Sequence, residues 1–330
     1  MRAGGVLTGV VGISFLLFTH SALGFDLVGH RGARGLAPEN TLPSFARALS
    51  VGVTVLELDT AITQDGVIVI SHDPSLNPNI TRDKDGKWLE KPGPVIKSIT
   101  FSELQQYDVG RLKPNTNYAK SFPDQKAVDG TRIPRLVDLF ALVKKSGNDQ
   151  VRFNIELKVS PLKPDETLDS ETYAKRVVEL IHKERMGARA SILSFDWRTL
   201  PVVQKIAPQI PTVYLTVQQR SFDNIGAGKP EGSPWTAGFQ HKDHGSIPRM
   251  VKAAGGKVWA PYFGDLTDSQ LKEAHDLGIT VIVWTANEPQ QIKKMLDLGV
   301  DGIISDRPDL VRQAMAERGM ALPPPTPVQP

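Results

Sequence analysis

The stretch Leu56-Glu-Leu-Asp-Thr-Ala-Ile-Thr-Gln-Asp-Gly-Val-Ile-Val-Ile-Ser-His-Asp73 falls within two β-like runs, Val53–Thr63 and Val67–Ser71, separated by Asp65-Gly66. An Asp-Gly pair between apolar runs is a strong hairpin signal, because both residues tolerate the positive φ of a two-residue type I′ turn. Such a loop sets Gln64 opposite Val67 and Asp59 opposite His72. Glu57 and Asp59 lie two apart, so their side chains leave the strand on the same face. The pattern therefore predicts two carboxylates and an imidazole at the base of one hairpin. Charged side chains normally stay in water, yet these carboxylates sit inside Val53-Thr-Val-Leu-Glu-Leu-Asp59, an apolar setting that argues for burial. A buried carboxylate needs a metal, another cation or a proton.

Outward from this hairpin the chain alternates strand and helix. Upstream, Phe25–Gly29 reads as a short strand ending in His30-Arg31-Gly32, followed by a helix over Leu42–Leu49 that closes at Gly52. Downstream, residues 74–135 are rich in proline and polar residues. They contain one convincing short helix after the capping box Thr100/Glu103, and they read as an insertion over the mouth of the fold. From Leu136 the alternation is regular, with strands ending near Lys158, Phe195, Thr216, Ala260, Thr285 and Ser305 and a helix after each. The hairpin's return strand is too close to its predecessor to pair with it in parallel. Setting it aside leaves about eight βα units and a parallel sheet. Polar residues at the strand C-terminal ends favour an α/β fold of the (β/α)8 TIM-barrel type, with its insertion after the second strand's hairpin. There is no Gly-x-Gly-x-x-Gly turn or Walker motif to support a nucleotide fold.

Both ends of the chain read differently. Arg2 precedes the apolar run Val6–Phe18, and Ser21-Ala-Leu-Gly24 supplies small residues for a cut after Gly24, so residues 1–24 have the pattern of a secretory signal peptide. That run is shorter than the roughly 18 residues of a spanning helix, so no stable membrane span is expected after cleavage, and the mature chain is expected to be secreted or periplasmic. Ala321–Pro330, with five prolines, reads as a disordered tail after a domain over residues 25–320. The 330 residues are 40% hydrophobic and 23% charged, an ordinary globular composition. A net charge of +3 with pI near 8.9 is too mild to argue for a nucleic-acid partner. The absence of cysteine excludes disulfides and thiolate chemistry.

In a (β/α)8 barrel the strand C-terminal ends share one rim. That rim gathers His30 and Arg31 from the first strand, Glu57 and Asp59 from the second, and Glu156 and Lys158 from the third, while the hairpin returns His72. Phe195 and Trp284 end the fourth and seventh strands. Glu57, Asp59 and Glu156 form an all-oxygen set suited to one hard divalent cation, Ca2+ or Mg2+. Two imidazoles beside it invite acid–base work. Arg31, Lys158 and a hard cation would cage a phosphate. Phosphodiester cleavage is the reaction class that fits this inventory, and the expected partner is a small molecule. The isolated His182, His241, His244 and His275 are read as packed or surface residues.

Several of these segments, taken together, resemble the glycerophosphodiester phosphodiesterase family. They are His30-Arg31-Gly32, Pro38-Glu39-Asn40-Thr41, Glu57-Leu58-Asp59, Asp65-Gly66 and His72-Asp73, then Glu156-Leu157-Lys158, Ser194-Phe195, Val283-Trp284-Thr285 and Asp301-Gly-Ile-Ile-Ser-Asp-Arg-Pro308. The resemblance runs in order from about Phe25 to Ala314. It implies metal-dependent hydrolysis of glycerophosphodiesters to glycerol 3-phosphate and an alcohol, with the metal on Glu57, Asp59 and Glu156. It also implies acid and base on His30 and His72, phosphate contacts at Arg31 and Lys158, and an apolar glycerol side at Phe195 and Trp284. The substrate's own hydroxyl serves as nucleophile in that scheme, through a cyclic phosphate. Two alternatives stay open: a phospholipase D-like enzyme acting on sphingomyelin or lysophospholipids, and a non-catalytic binder of phosphorylated head groups.

Overall fold

A computed structural model of the chain describes residue 1 and residues 24–330. The expected signal segment, residues 1–24, lies almost wholly outside the described residues. Eight parallel strands close on themselves: β1 (Asp26–Gly29), β2 (Val55–Ile62), β3 (Arg152–Leu157), β4 (Ala190–Ser194), β5 (Thr212–Thr216), β6 (Val258–Pro261), β7 (Thr280–Val283) and β8 (Gly302–Ser305). Each pairs with the next in sequence, and β8 pairs back onto β1 through Asp26 and Gly302 to Gly29 and Ser305. A helix follows every strand, so the architecture is the (β/α)8 barrel that the alternation predicts.

The strands are short because each must bury both faces. Their outward side chains pack under the helices in one continuous core that includes Phe45, Leu49, Phe140, Phe153 and Val177. Smaller clusters, among them Leu193, Val213, Leu215 and Ala260, fill the barrel interior. The first helix, Leu42–Val51, has Thr41 accepting from the Ser44 amide at its start and Gly52 at φ 84° at its end, where the Gly52 amide reaches Ala48 and Leu49 carbonyls. Gly29 is required by packing: a Cβ there would lie 2.1 Å from the Gly32 carbonyl, so only glycine lets the His30–Gly32 turn fold back over the end of β1.

The hairpin forms, but in a different register from the one its Asp-Gly pair suggests. Thr60 faces Ile70 and Ile62 faces Ile68, and the Thr63 amide reaches the Val67 carbonyl. The loop therefore holds three residues, Gln64 to Gly66, with Gly66 alone in the left-handed region at φ 80°. Asp59 faces Ser71, not His72, and its carbonyl accepts from the Ser71 amide at 3.0 Å. The cause is Thr63, whose hydroxyl donates to Asp65 Oδ1 at 2.6 Å and accepts from the Val67 amide at 3.0 Å. Glu57 and Asp59 also lie within β2 and do not end it, because the strand runs on as a hairpin above the rim.

Residues 74–135 wrap beside this hairpin around a small core of Leu76, Ile96, Leu104, Val109 and Ile133, which takes Ala61 and Val69 from the hairpin itself. The capped helix forms at Phe101–Leu104, and a second short helix at Asn117–Lys120 was not legible in the sequence. The segment reaches the barrel rim where Gln125 Nε2 donates to the Arg34 carbonyl (2.7 Å) and Lys126 N to that of Leu36 (2.9 Å). The proline-rich tail at residues 321–330 forms no helix or strand and makes a few bonds to the body. Its prolines lack N–H donors, so its carbonyls do the bonding: Arg312 donates to Pro323 O at 2.6 Å and Lys145 to Gln329 O at 2.8 Å, while the Thr326 amide finds Leu49 O at 2.9 Å.

Candidate active site

Three parallel strands bring the carboxylates together. Asp59 and Glu156 are register partners on β2 and β3, and Glu57 sits one pleat below Asp59 on the same inward face. All three are buried, and each offers an oxygen within 4.8 Å of the others. Burial, then repulsion from Asp59 and Glu156, pushes the Glu57 carboxyl well above its ordinary range. Burial likewise pushes Glu156 up to about 7, against the pull of Lys158. Asp59 goes the other way: His72, Lys158 and Arg31, with a hydrogen bond from Asn40 Nδ2 at 2.9 Å, overcome its burial and hold it well below. Such a set of crowded oxygens with too little positive charge fits a hard divalent cation.

The cations stand around this cluster. Lys158 Nζ lies 2.8 Å from Glu156 Oε1 and 3.5 Å from Asp59 Oδ1. Arg31 adopts a left-handed backbone (φ 48°), uncommon for a non-glycine residue, which turns its amide onto Glu57 Oε2 at 2.8 Å. Its guanidinium is gripped by Glu39 at 2.7 Å, and Glu39 in turn accepts from the Tyr118 hydroxyl of the inserted segment. Arg31 Nε is 3.3 Å from Asp59 and is buried without a hydrogen bond.

Each histidine leans on a carboxylate. His30 Nδ1 lies 2.7 Å from Asp306 Oδ1, and its Nε2 faces Glu57 at 3.8 Å. Burial, aided by Arg34 and Arg31, outweighs Asp306 and lowers its pKa to about 4. His72 Nδ1 lies 2.8 Å from Asp73 Oδ1, and Asn77 donates to the other Asp73 oxygen at 2.8 Å. Burial, Arg31 and Lys158 lower its pKa too, against Asp59 and Asp73.

Both histidines, Arg31, Glu57, Glu156 and Lys158 line one open cavity of about 410 Å3, with Asp59 at its floor beside them. The opposite wall is aromatic. Phe195 stands edge to face with Trp284 (centroids 5.2 Å apart) and with Phe222 (5.4 Å), and Phe222 meets Trp235 at 5.1 Å. Phe195 and Trp284 also cap the inner barrel cluster, so each is both lining and core. The structure thus gathers every site residue marked in the sequence, and it leaves the other described histidines elsewhere: His275 pairs with Asp301 and His182 meets Gln209.

Sequence reasoning assigned no role to the supporting residues: Arg34, Asp306 and Asn287 around His30, Asp73 behind His72, Glu39 and Tyr118 behind Arg31, and the outer aromatics Phe222 and Trp235. Asp306 follows β8 as His30 follows β1, so the rim rule that found His30 would also have found Asp306. Phe222 and Trp235 lie in an irregular stretch with no periodicity to place them.

Comparison with known proteins places the chain in a family. A family model described as the glycerophosphoryl diester phosphodiesterase family matches residues 30–310. The glycerophosphodiester phosphodiesterase of Caldanaerobacter subterraneus subsp. tengcongensis is 25% identical over 294 residues, 89% of this chain and 98% of that protein. A crystal structure of a provisionally assigned glycerophosphoryl diester phosphodiesterase from Silicibacter pomeroyi is 36% identical with a TM-score of 0.79, covering 89% of this chain and 94% of that one. A phosphodiesterase of Oleispira antarctica, solved with the product sn-glycerol-3-phosphate, shares the fold at 21% identity and a TM-score of 0.62, over 88% of this chain and 96% of that one. The chain belongs to the glycerophosphoryl diester phosphodiesterase family.

Proposed function

We propose that this protein hydrolyses glycerophosphodiesters to glycerol 3-phosphate and an alcohol, with His30 and His72 as acid and base. The observation that carries this reading is the single cavity in which two histidines, Arg31 and Lys158 surround three buried carboxylates. The names of the relatives and the product held by the Oleispira protein support the substrate class. Glu57, Asp59 and Glu156 would hold one divalent cation, Ca2+ or Mg2+. Bound there, the ion supplies Lewis-acid neutralisation of charge on the phosphate.

Arg31, with its unpartnered Nε, and Lys158 orient the phosphate's non-bridging oxygens. A glycerol hydroxyl attacks phosphorus and gives its proton to one histidine, while the other protonates the departing alcohol. The cyclic phosphate left behind is opened by water, with the two roles exchanged. The signal-like N-terminus supports a secreted or periplasmic site of action.

The test is release of glycerol 3-phosphate from glycerophosphocholine, followed by 31P NMR with Ca2+ or Mg2+ and with EDTA. Loss of turnover in EDTA and in His30→Ala, with the circular dichroism unchanged, is expected. Full activity in EDTA would rule out the carboxylate metal site, and unchanged turnover in His30→Ala would remove His30 from the chemistry. One observation favours a second substrate class: the aromatic wall runs past Phe195 to Phe222 and Trp235, further than a glycerol needs. Single-chain lysophospholipids belong in the same assay, and cleavage of the lipid alone would replace the first reading with the phospholipase D-like one.

A further inference from the structure

The end of β8 carries a group that the reaction scheme has not yet used. Asp306 is 2% exposed and receives three directed donors besides the histidine. Arg34 grips it as a fork, Nε to Oδ1 at 2.8 Å and Nη2 to Oδ2 at 3.0 Å, and Asn287 Nδ2 reaches Oδ2 at 2.7 Å. Asn287 is itself fixed: its Oδ1 accepts from the Asp306 amide at 2.8 Å and the Ser305 hydroxyl at 3.1 Å, so that its NH2 faces the carboxylate. A carboxylate held in this way is acceptor-only, and Arg34 with His30 keeps it charged in spite of its burial.

His30 Nδ1 lies 2.7 Å from this anion and 3.3 Å from Arg34 Nη2. A lone pair on Nδ1 could accept from Arg34, but it would then face an ionised oxygen at 2.7 Å with no proton between them. Arg34 Nη2 is in any case committed to Asp306. The geometry allows one comfortable arrangement, a proton on Nδ1 shared with Asp306, leaving Nε2 free toward the cavity and Glu57.

We infer that Asp306, clamped by Arg34 and Asn287, is the positioning residue for His30: it fixes the Nδ1–H tautomer and aims Nε2 at the substrate. The inference rests on the catalytic role proposed for His30. It also explains the reach of the network, since Arg34 stacks on Phe122 of the inserted segment at 4.6 Å and so ties the ring's orientation to that segment.

The experiment uses the Mg2+-loaded full-length protein with 15N-labelled histidine at pH 8, the His30 signals being identified by their loss in His30→Gln. Two-bond 15N–1H correlations should show Nδ1 protonated and Nε2 bare in the native protein. In Asp306→Asn that tautomer should be lost, with kcat lower by about 100-fold and KM within threefold. An Nε2–H or doubly protonated His30 ring in the native protein overturns the inference, and that reading needs no variant to fold. So does an Asp306→Asn enzyme whose kcat stays within threefold of native. Turnover of His30→Gln itself separates the two claims: activity retained there defeats the role of His30, whereas the tautomer spectrum reports on Asp306 directly.

Discussion

Replacing Glu156 by glutamine should make the metal-free protein more stable while removing its response to the ion. The structure sets the size of the effect. Burial beside Asp59, only partly offset by Lys158 at 2.8 Å, moves the Glu156 carboxyl from an ordinary 4.5 to about 7. Each tenfold in that ionisation constant is worth about 1.4 kcal/mol, so the ionised native state carries a cost of about 3 kcal/mol. The sign follows from linkage. The unfolded carboxyl gives up its proton first, so stability falls as pH rises from about 4.5 through about 7 and is level above it. At pH 8 in EDTA, Glu156→Gln removes this cost and leaves Lys158 its contact with Asp59 at 3.5 Å. A gain of about 3 kcal/mol corresponds to a Tm rise of about 6 °C for a chain of this size. Adding Ca2+ or Mg2+ at a hundredfold excess over Kd should lift the native protein by about 2.7 kcal/mol, whereas the variant, missing one of three ligands, should barely respond. Thermal unfolding followed by circular dichroism, with and without ion, reads both arms. A variant less stable than native in EDTA, or one that gains as much from the ion, would show that Glu156 is neither strained by burial nor a ligand.

Three further outcomes follow from named contacts. Arg31→Lys removes the planar guanidinium, with its Nη1 bond to Glu39 and its free Nε, and should lower kcat/KM on glycerophosphocholine by about 100-fold, or about 3 kcal/mol; a loss below fivefold would mean that a point charge suffices there. Trp235→Ala shortens the aromatic wall at its outer end, so lysophosphatidylcholine cleavage should fall at least about tenfold more than glycerophosphocholine cleavage, as measured by choline release; equal losses would place Trp235 in the scaffold. His72 and Asn77 hold the half-buried Asp73 carboxyl at about 2. Asp73 therefore adds stability above the ordinary carboxylate range that is lost as pH falls toward 2, and acid unfolding of Asp73→Asn should lack that part of the native slope.

Residue pattern carried most of the fold and of the candidate site, because both depend on local periodicity. Each barrel strand is a short apolar run with its polar residues at one end, and a helix such as Leu136–Lys145 or Pro289–Leu298 stands where the alternation calls for one. The hairpin shows where pattern stops. Asp65-Gly66 is compatible with a two- or a three-residue loop, and the choice falls to Thr63, whose hydroxyl bridges Asp65 and Val67 only in the longer one. Had the shorter loop formed, Asp59 would face His72; in the longer one His72 comes one residue after Asp59's partner Ser71 and reaches the cavity by turning off the end of the ladder. Long-range partners are illegible for a different reason. His30 and Asp306 are 276 residues apart, and nothing in either neighbourhood specifies the pair until β8 closes against β1.

The barrel divides its labour around the rim. Charged groups come from one arc, β8 through β1 and β2 to β3, which supplies Asp306, His30, Arg31, Glu57, Asp59, Glu156 and Lys158. The aromatic wall comes from the other: Phe195 follows β4, Phe222 and Trp235 follow β5, and Trp284 follows β7. A phosphodiester lying across the cavity would set its phosphate against the first arc and an organic substituent against the second. The inserted segment meets the charged arc through Tyr118 on Glu39, Phe122 under Arg34 and Gln125 on the Arg34 carbonyl. It therefore acts on the residues that hold phosphate and aim His30, whereas the loop after β5 acts on what the phosphate is attached to. Exchanging the loop at residues 218–245 with that of a relative should consequently move substrate preference and leave metal dependence alone, whereas changes at Tyr118 or Phe122 should lower turnover on every substrate alike.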